Sequence, residues 1–455
     1  MNVAIVGAGW AGMAAAVTAT LAGHRAIVFE AARAVGGRAR ALNGTLPDGT
    51  PVVLDNGQHI LIGAYTRTLE LMPTVGADPA THLKRLPLDL RFADGEGLAL
   101  PLWPSPLDAL AGIATARGWT WGDRWSLLRA SVGWQLAGFR CAPGTSVADL
   151  CRTLSPTINA TLIDPLCVSA LNTPAERACG QVFLTVLRDS LFGGRGSSNL
   201  LLPTQDLGTL FPTTAAQWLL AQGGELRTGA RVHDVQALPR ESASTGTRWQ
   251  VNGEVFDAVI WATSSSNAAL ALMESAQAAP ETIANQLQTW AATAAALQFE
   301  AIATVYAHAP DATLPRPMVA LRHSPDCPAQ FVFDRGQLDG TQGLLAFVVS
   351  ASEGDKDTLE RQVLAQARSQ LGLTLQAVQT VIEKRATFAC TPALQRPPQA
   401  IAPGLWACGD YVVGPYPATL EGAIRSGISA AEQFNTASTA STQATTRLRA
   451  MLFAR

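Results

Sequence analysis

Apolar positions cluster first from Asn2 to Val6, a run short enough for a strand buried on both faces. The small residues from Ala11 to Leu21 then suit a tightly packed helix, and Arg25 to Glu30 returns to a strand pattern, so the segment predicts one β-α-β unit. Thr228 to Val235 and Phe256 to Thr263 predict two further strands. The second holds a continuous run, Ala258, Val259, Ile260, Trp261 and Ala262, of the sort covered on both faces in a parallel sheet. Leu405 to Cys408 is another strand, followed by a turn-rich segment and a helix expected from near Thr419. Two blocks of different character lie between. Residues 76 to 190 are Pro- and Trp-rich and helix-prone, with Trp103, Trp119, Trp121, Trp125 and Trp134 crowded together. Residues 270 to 395 alternate Ala-rich helical stretches with strands expected at Ala301 to Ala307 and Gly343 to Ser350.

Length changes this picture little: 455 residues with 48% hydrophobic content exceed one ordinary core and predict two domains. Charge excludes more. With 15% charged residues and a formal net charge of -2, the chain has no basic field to gather phosphate backbones, so no nucleic-acid partner is expected. Cys141, Cys151, Cys167, Cys179, Cys327, Cys390 and Cys408 are scattered and never in a CxxC pair, which argues against a disulfide framework and against a zinc site and fits a reducing cytosol. Met1 to Gly23 is apolar enough for an export signal, yet no Lys or Arg precedes the run. Elsewhere no stretch approaches the roughly 18 apolar residues that span a bilayer. The expected setting is the cytoplasm, with any membrane contact peripheral and at the inner face.

Gly7-x-Gly9-x-x-Gly12 falls between the first strand and the first helix. Gly7 permits the tight turn, Gly9 lets the backbone approach a pyrophosphate, and Gly12 lets the helix pack closely on the sheet. The helix N-terminus then offers free N–H groups and partial positive charge to phosphates. Glu30 ends the second strand, where its carboxylate can accept hydrogen bonds from a ribose diol and repel a 2′-phosphate. Gly36-Gly37-Arg38 follows closely, and a second glycine pair with a cation suits a longer cofactor than NAD, namely FAD. Arg38 either pairs with the pyrophosphate or steadies the adjacent loop.

At the far end Ala407-Cys408-Gly409-Asp410 finishes a strand and Thr419-Leu420-Glu421-Gly422 opens a helix. An acid after glycine at a strand end is placed for a ribityl hydroxyl, and the helix N-terminus can stabilise negative charge on a reduced isoalloxazine. The fold class that follows is α/β: a discontinuous FAD-binding Rossmann-like domain with an α+β substrate domain. Residues 1–75, 190–270 and 396–437 are assigned to the first, and 76–189 and 271–395 to the second. Thr436 to Arg455 is Ser/Thr/Ala-rich, and residues 438–455 are set apart as a weakly packed tail.

Together, VAIVGAGWAGMAAA, EAARAVGGRA and ACGDY…ATLEGAIRSG resemble the flavin amine oxidase and carotenoid desaturase superfamily. Within it, Leu54-Asp55-Asn56-Gly57-Gln58-His59 followed by Ile60 to Tyr65 resembles the hydroxysqualene dehydroxylase family, as do Asp164-Pro165-Leu166-Cys167 and Ala170-Leu171-Asn172-Thr173. The resemblance implies that Gly7, Gly9, Trp10, Ala11, Gly12, Glu30, Gly37, Arg38, Gly57, Gln58, Gly409, Asp410, Thr419 and Leu420 meet FAD. Val232, in the strand after Gly229, is expected to meet its adenine end through the backbone. It also implies the reaction: reductive removal of the hydroxyl of hydroxysqualene, an isoprenoid lipid, to give squalene in squalene and hopanoid synthesis. Nothing in the chain marks the electron donor that would reduce the flavin.

Such chemistry needs an acid near the leaving oxygen, a dry apolar channel and a reduced flavin aligned with one carbon. His59 can donate a proton near neutrality or orient its loop. Asp55 serves as an acid only if burial raises its pKa, and otherwise as a structural acceptor. Asn172 positions a hydroxyl or, before Thr-Pro, simply forms a turn or cap. The tryptophans suit an isoprenoid channel, a membrane-facing lip or a plain core. No metal-ligand spacing and no nucleophile elbow is present. The alternatives are a carotenoid or other isoprenoid desaturase running hydride transfer in reverse, an amine oxidase with only Tyr411 and Tyr416 as aromatic candidates, and a non-enzymatic prenyl-lipid escort. The intact glycine set with Glu30 disfavours the last.

Overall fold

The computed structural model describes residues 1–104, 106–238 and 247–433. Its organising element is a six-stranded sheet with spatial order Ala400–Ala402, Leu405–Ala407, Ala258–Trp261, β1 (Asn2–Val6), β2 (Arg25–Glu30) and Glu225–Thr228. All neighbours are parallel except the outermost pair, Ala400–Ala402 against Leu405–Ala407. Both chain ends therefore enter one sheet, with the strand at Leu405 two places from β1. Val3, Ala4, Ile5 and Val6 are buried because helices or loops cover both faces, which is why the strand carries no polar alternation.

Between β1 and β2, helix α1 (Trp10–Leu21) returns the chain across the sheet. Its run of Ala14, Ala15 and Ala16 is wholly buried, and the absence of bulk lets other helices approach. Helix 420–433 crosses it so closely that a Cβ at Gly427 would lie 2.2 Å from the Ala11 carbonyl oxygen.

A second, antiparallel sheet has the order Met318–Ala320, Phe331–Asp334, Leu344–Ser350, Phe299–His308 and Gln376–Phe388. On one face Val305, Val332, Phe347 and Val349 pack with Leu359, Val363 and Ala367 of the helix Lys356–Leu371. The opposite face, including Met318, Phe331, Phe333 and Val348, looks into a large cavity. The two-residue strand period thus divides one set of apolar residues between a core and a cavity wall.

Several expected elements differ in detail. The strand expected at Thr228 to Val235 is two strands of different sheets, Glu225–Thr228 and Val235–Leu238, with irregular chain between. Gly229 takes φ +68°, and the N–H groups of Gly229 and Ala230 donate to the carbonyls of Ala32 and Glu30, so the chain turns onto the β2 loop instead of extending. Val232 consequently lies in that irregular segment and not in a strand. Phe256 to Thr263 likewise divides into Glu254–Phe256 and Ala258–Trp261, the first pairing antiparallel in a separate three-stranded sheet. The last helix starts at Leu420, with Thr419 as its cap. The Ser/Thr/Ala-rich tail lies outside the described residues.

Candidate functional site

The glycine loop is shaped by what a side chain would strike. A Cβ at Gly7, whose φ is +112°, would sit 2.8 Å from the Ala262 carbonyl oxygen, and one at Gly12 would sit 1.9 Å from that of Gly7. The loop therefore lies low on the sheet edge, and the N-terminus of α1 faces open space past Gly9. Gly12 does this by packing alone, since among the expected FAD residues it is the one absent from the cavity wall. Glu30 Oε2 accepts from the Ala8 N–H at 2.7 Å and Oε1 from the Ala32 N–H at 2.8 Å. Its carboxylate is thus fixed beside the loop with lone pairs to spare. The Gly36–Gly37 turn crosses the loop, with the Gly36 N–H donating to the Ala8 carbonyl at 2.9 Å.

The other end of the chain closes on this turn. Arg38 pairs with Asp410, 372 residues away, and donates to the Ala386 carbonyl at 2.6 Å. These contacts hold the Arg38 guanidinium between the two ends of the chain. The Gly409 N–H donates to Ser426 Oγ at 2.8 Å, and Thr419 Oγ1 caps the last helix by accepting from Gly422 N–H at 2.9 Å. The N-terminus of helix 420–433 faces the same cavity through Thr419 and Leu420.

The three candidate reaction residues separate clearly. Asp55 is away from the cavity wall. Its Oδ1 accepts from the Leu207 N–H at 2.8 Å, and its own carbonyl accepts from the buried Tyr306 hydroxyl at 2.9 Å. Burial raises its carboxyl to about 6, and its side-chain contacts are with the Leu207 N–H and Arg335. Asn172 reaches the cavity, yet its side chain is engaged: Nδ2 donates to Thr387 Oγ1 at 2.9 Å and Oδ1 accepts from the Ala351 N–H at 2.6 Å. It also adopts φ +47° to end the helix Asp164–Leu171, the cap role. His59 is open to the cavity. Burial, with Arg38 adding to it, pushes its imidazole down to about 4, so it is neutral near pH 7 and offers an N–H rather than an imidazolium.

Apart from Gly12 and Asp55, the expected site residues line one cavity of about 1010 Å³. One part is walled by Gly7, Gly9, Trp10, Ala11, Glu30 and Val232; the next by Gly37, Arg38, Gly57, Gln58, Gly409 and Asp410. It continues into an apolar part walled by Leu88, Leu90, Leu166, Val186, Phe331 and Phe333. The volume reaches the upper end of ordinary ligand sites, which suits a dinucleotide together with an apolar second ligand. Gln58 Oε1 and the Tyr411 hydroxyl are buried with no hydrogen-bond partner among the described residues, although both residues line the cavity.

Other wall residues escaped the sequence reading. Phe331 and Phe333 carried a signal in their two-residue spacing. Tyr416, weighed from the sequence only as an aromatic for an amine site, donates to Asp189 Oδ2 at 2.8 Å, a contact the sequence could not show because the two lie 227 residues apart. Asn267 and Tyr65 line the cavity as well. Among the described residues no group of three or more His, Cys, Asp or Glu side chains is arranged to hold a metal ion.

A glycine turn at the start of α1, a carboxylate at the end of β2 and a second helix N-terminus converge on one cavity, the arrangement of a flavin-binding oxidoreductase. The chain belongs to the family described as flavin containing amine oxidoreductase, whose sequence profile matches residues 10–435, and FAD is its cofactor. Within that family it is similar to the hydroxysqualene dehydroxylase of Zymomonas mobilis subsp. mobilis, 27% identical over 445 residues that span 94% of this chain and 97% of the relative. The hydroxysqualene dehydroxylase of Rhodopseudomonas palustris is 28% identical over 474 residues, spanning 95% and 97%. Among solved structures, an oxidoreductase from Methanosarcina mazei superposes with a TM-score of 0.68 at 16% identity, covering 95% of this chain and 100% of that one, which establishes the shared fold.

Proposed function

We propose that this FAD-dependent oxidoreductase removes the hydroxyl of hydroxysqualene reductively to give squalene. The observation that carries the reading is the cavity, which runs without a break from the dinucleotide loop into an apolar chamber. Its support is the near full-length similarity to hydroxysqualene dehydroxylases. Residues 1–75, 190–270 and 396–437 would hold FAD, and 76–189 with 271–395 would enclose the isoprenoid.

In this reading Glu30 accepts from the ribose diol, Val232 backs the adenine end, and the N–H groups at Gly9, Trp10 and Ala11 face the pyrophosphate. Gly57, Gln58, Gly409, Asp410, Thr419 and Leu420 surround the remainder. Bound and reduced, FAD supplies hydride. Leu88, Leu166, Phe331 and Phe333 exclude water, so a carbocation formed in the chamber is not intercepted by solvent. The overall change would balance as the allylic alcohol plus FADH2 giving the hydrocarbon, water and FAD, with the hydride ending on the former carbinol carbon and the second hydrogen, as a proton, leaving with the hydroxyl in water. His59, neutral at rest, hydrogen-bonds the substrate oxygen through a ring N–H and orients it, while Asp55 and Asn172 hold the walls. The setting is cytoplasmic, at the inner face of a membrane that carries the lipid substrate.

The test is isotopic. Incubation of hydroxysqualene with reduced enzyme, anaerobically in deuterated water, should yield squalene with deuterium at the former carbinol carbon. Absence of squalene, together with oxidation of an isoprenoid by the oxidised enzyme, would establish the desaturase alternative instead.

A further inference from the structure

The helix Trp121–Leu136 is built the wrong way round for a surface helix. It buries Asp123 and Leu127, whereas Trp121, Trp125 and Leu136 are 78%, 70% and 85% exposed, and Val132 is exposed with them. Spacings of four, seven and four residues place these four side chains on one stripe, the stripe that ordinarily faces a core. The helix is nonetheless firmly anchored. Thr120 and Asp123 form a reciprocal capping box, and Arg124 donates to the carbonyls of Ile113 at 3.1 Å and Ala116 at 2.9 Å. The preceding segment, tied to it by Arg124, exposes Leu102, Trp103, Leu107 and Leu110 in addition. Isolated exposed apolar residues need no explanation, but this many on adjoining elements mark a binding face.

Charge selects the occupant. Between residues 102 and 140 the acids are Asp108 and Asp123, both buried. The exposed charged residues of that stretch are Arg117, Arg129 and Arg140, all cationic, on a chain whose net charge is -2. A second copy docking through the same face would set arginines against arginines. An anionic lipid surface matches both the cations and the tryptophans, which favour the depth of the headgroups.

Position supplies the purpose. Phe139, in the turn after this helix, packs on Phe192 with ring centres 5.2 Å apart, and its carbonyl accepts from Gln181 Nε2 at 3.0 Å. Gln181 and Phe192 bracket the helix Gly180–Leu191, whose Val182, Val186, Ser190 and Leu191 line the cavity. Exposed Ser169 lines it too, marking where the cavity meets the surface. We propose that Trp121, Trp125, Val132 and Leu136, with Leu102, Trp103, Leu107 and Leu110, dock the protein on an anionic bilayer and set the cavity rim beside the lipid. The proposal rests on the reading of an isoprenoid lipid substrate.

Flotation of the full-length, FAD-loaded protein tests it without substrate. Vesicles of phosphatidylcholine containing about one-third phosphatidylglycerol should carry the protein upward, and pure phosphatidylcholine should carry less. The triple variant Trp121→Gln, Trp125→Gln, Leu136→Gln should lower the bound fraction by about tenfold or more. Its flavin content should not change, because these side chains lie outside the core. Arg129→Glu with Arg140→Glu should weaken binding to the anionic vesicles alone. Parent protein that stays at the bottom with both vesicles, or a triple variant that floats as the parent does, overturns the proposal. So does a parent dimer that the triple variant converts to monomer in sedimentation velocity, since the face would then belong to a second copy. Dehydroxylation is assayed separately in detergent, so a parent protein that turns over but floats with neither vesicle refutes the docking surface and leaves the reaction standing, and a parent that floats but does not turn over refutes the reaction alone.

Discussion

At the scale of single residues, the site divides into groups that face the cavity and groups that hold its walls. His59 belongs to the first kind and Asp55 to the second, although the two are four positions apart. A turn at Gly57, with φ +119°, separates their directions. Both titrate abnormally and in opposite senses. His59 is depressed to about 4, so the unfolded chain binds its proton more readily. Its contribution to stability is complete above the ordinary value of 6.5 and is lost as pH falls toward 4. Asp55 is raised to about 6, so its contribution is complete below 3.8 and lost as pH rises toward 6. Replacing His59 by Gln isolates the first effect. In urea unfolding of flavin-stripped protein, the stability difference between parent and His59→Gln should shift by about 3 kcal/mol at most between pH 6.5 and pH 4, against the parent on the acid side. Parallel pH profiles would show that burial does not hold this imidazole neutral.

Among the elements, helix packing decides how well the two chain ends share one site. The segment ATLEGAIRSG reads from sequence as a helix start, and its glycines read as permissive residues. Only the packed structure shows that Gly427 is where helix 420–433 crosses α1, with a Cβ there 2.2 Å from the Ala11 oxygen and 3.0 Å from the Ala15 nitrogen. Gly427→Val forces the helices apart and displaces Thr419 and Leu420 at the cavity. A destabilisation of about 2–3 kcal/mol is expected. Flavin should also be lost on gel filtration. A variant with the parent's melting temperature and full flavin content would refute the close crossing. The tryptophan cluster shows the same limit of sequence. Trp119 is buried and donates to Thr161 Oγ1 at 3.0 Å, while Trp121 two positions later is exposed. Composition marked the cluster, but the fold set the direction of each ring: Trp119 turns inward ahead of the helix, whereas Trp121 and Trp125 lie on its exposed stripe.

For the molecule as a whole, the cavity is made by parts distant in the chain, and Arg38 with Asp410 clasps them across 372 residues. A ligand reaching from Glu30 to Thr419 therefore bridges both ends and stabilises the folded chain by mass action. Free FAD at about a hundred times its dissociation constant should add about 3 kcal/mol to the flavin-stripped protein, read as a rise in melting temperature. FMN, which lacks the half that the proposed placement sets against Glu30 and the α1 N-terminus, should give a much smaller rise. Equal shifts by the two flavins would remove the adenine-end assignment.

The sequence by itself determined the β-α-β opening, the glycine turn, the acid at Glu30 and the strand-to-helix segment at Gly409, since each is a local demand for backbone freedom, charge or periodicity within a few residues. It also placed the strands at Ala301 to Ala307 and Gly343 to Ser350 within a residue or two, because apolar runs of that length have few other uses. Tertiary structure decided what depends on neighbours remote in the chain. The turn at Gly229 required the Ala32 and Glu30 carbonyls as partners, and the seating of Asp55 away from the cavity wall required Leu207 and Arg335. The apolar chamber required the strand face of Phe331 and Phe333 to meet Leu88, Leu166 and Val186 from distant parts of the chain around one cavity. Hydrogen bonding and burial between residues hundreds of positions apart leave no periodic trace in a sequence, so these features became legible only once the chain was folded.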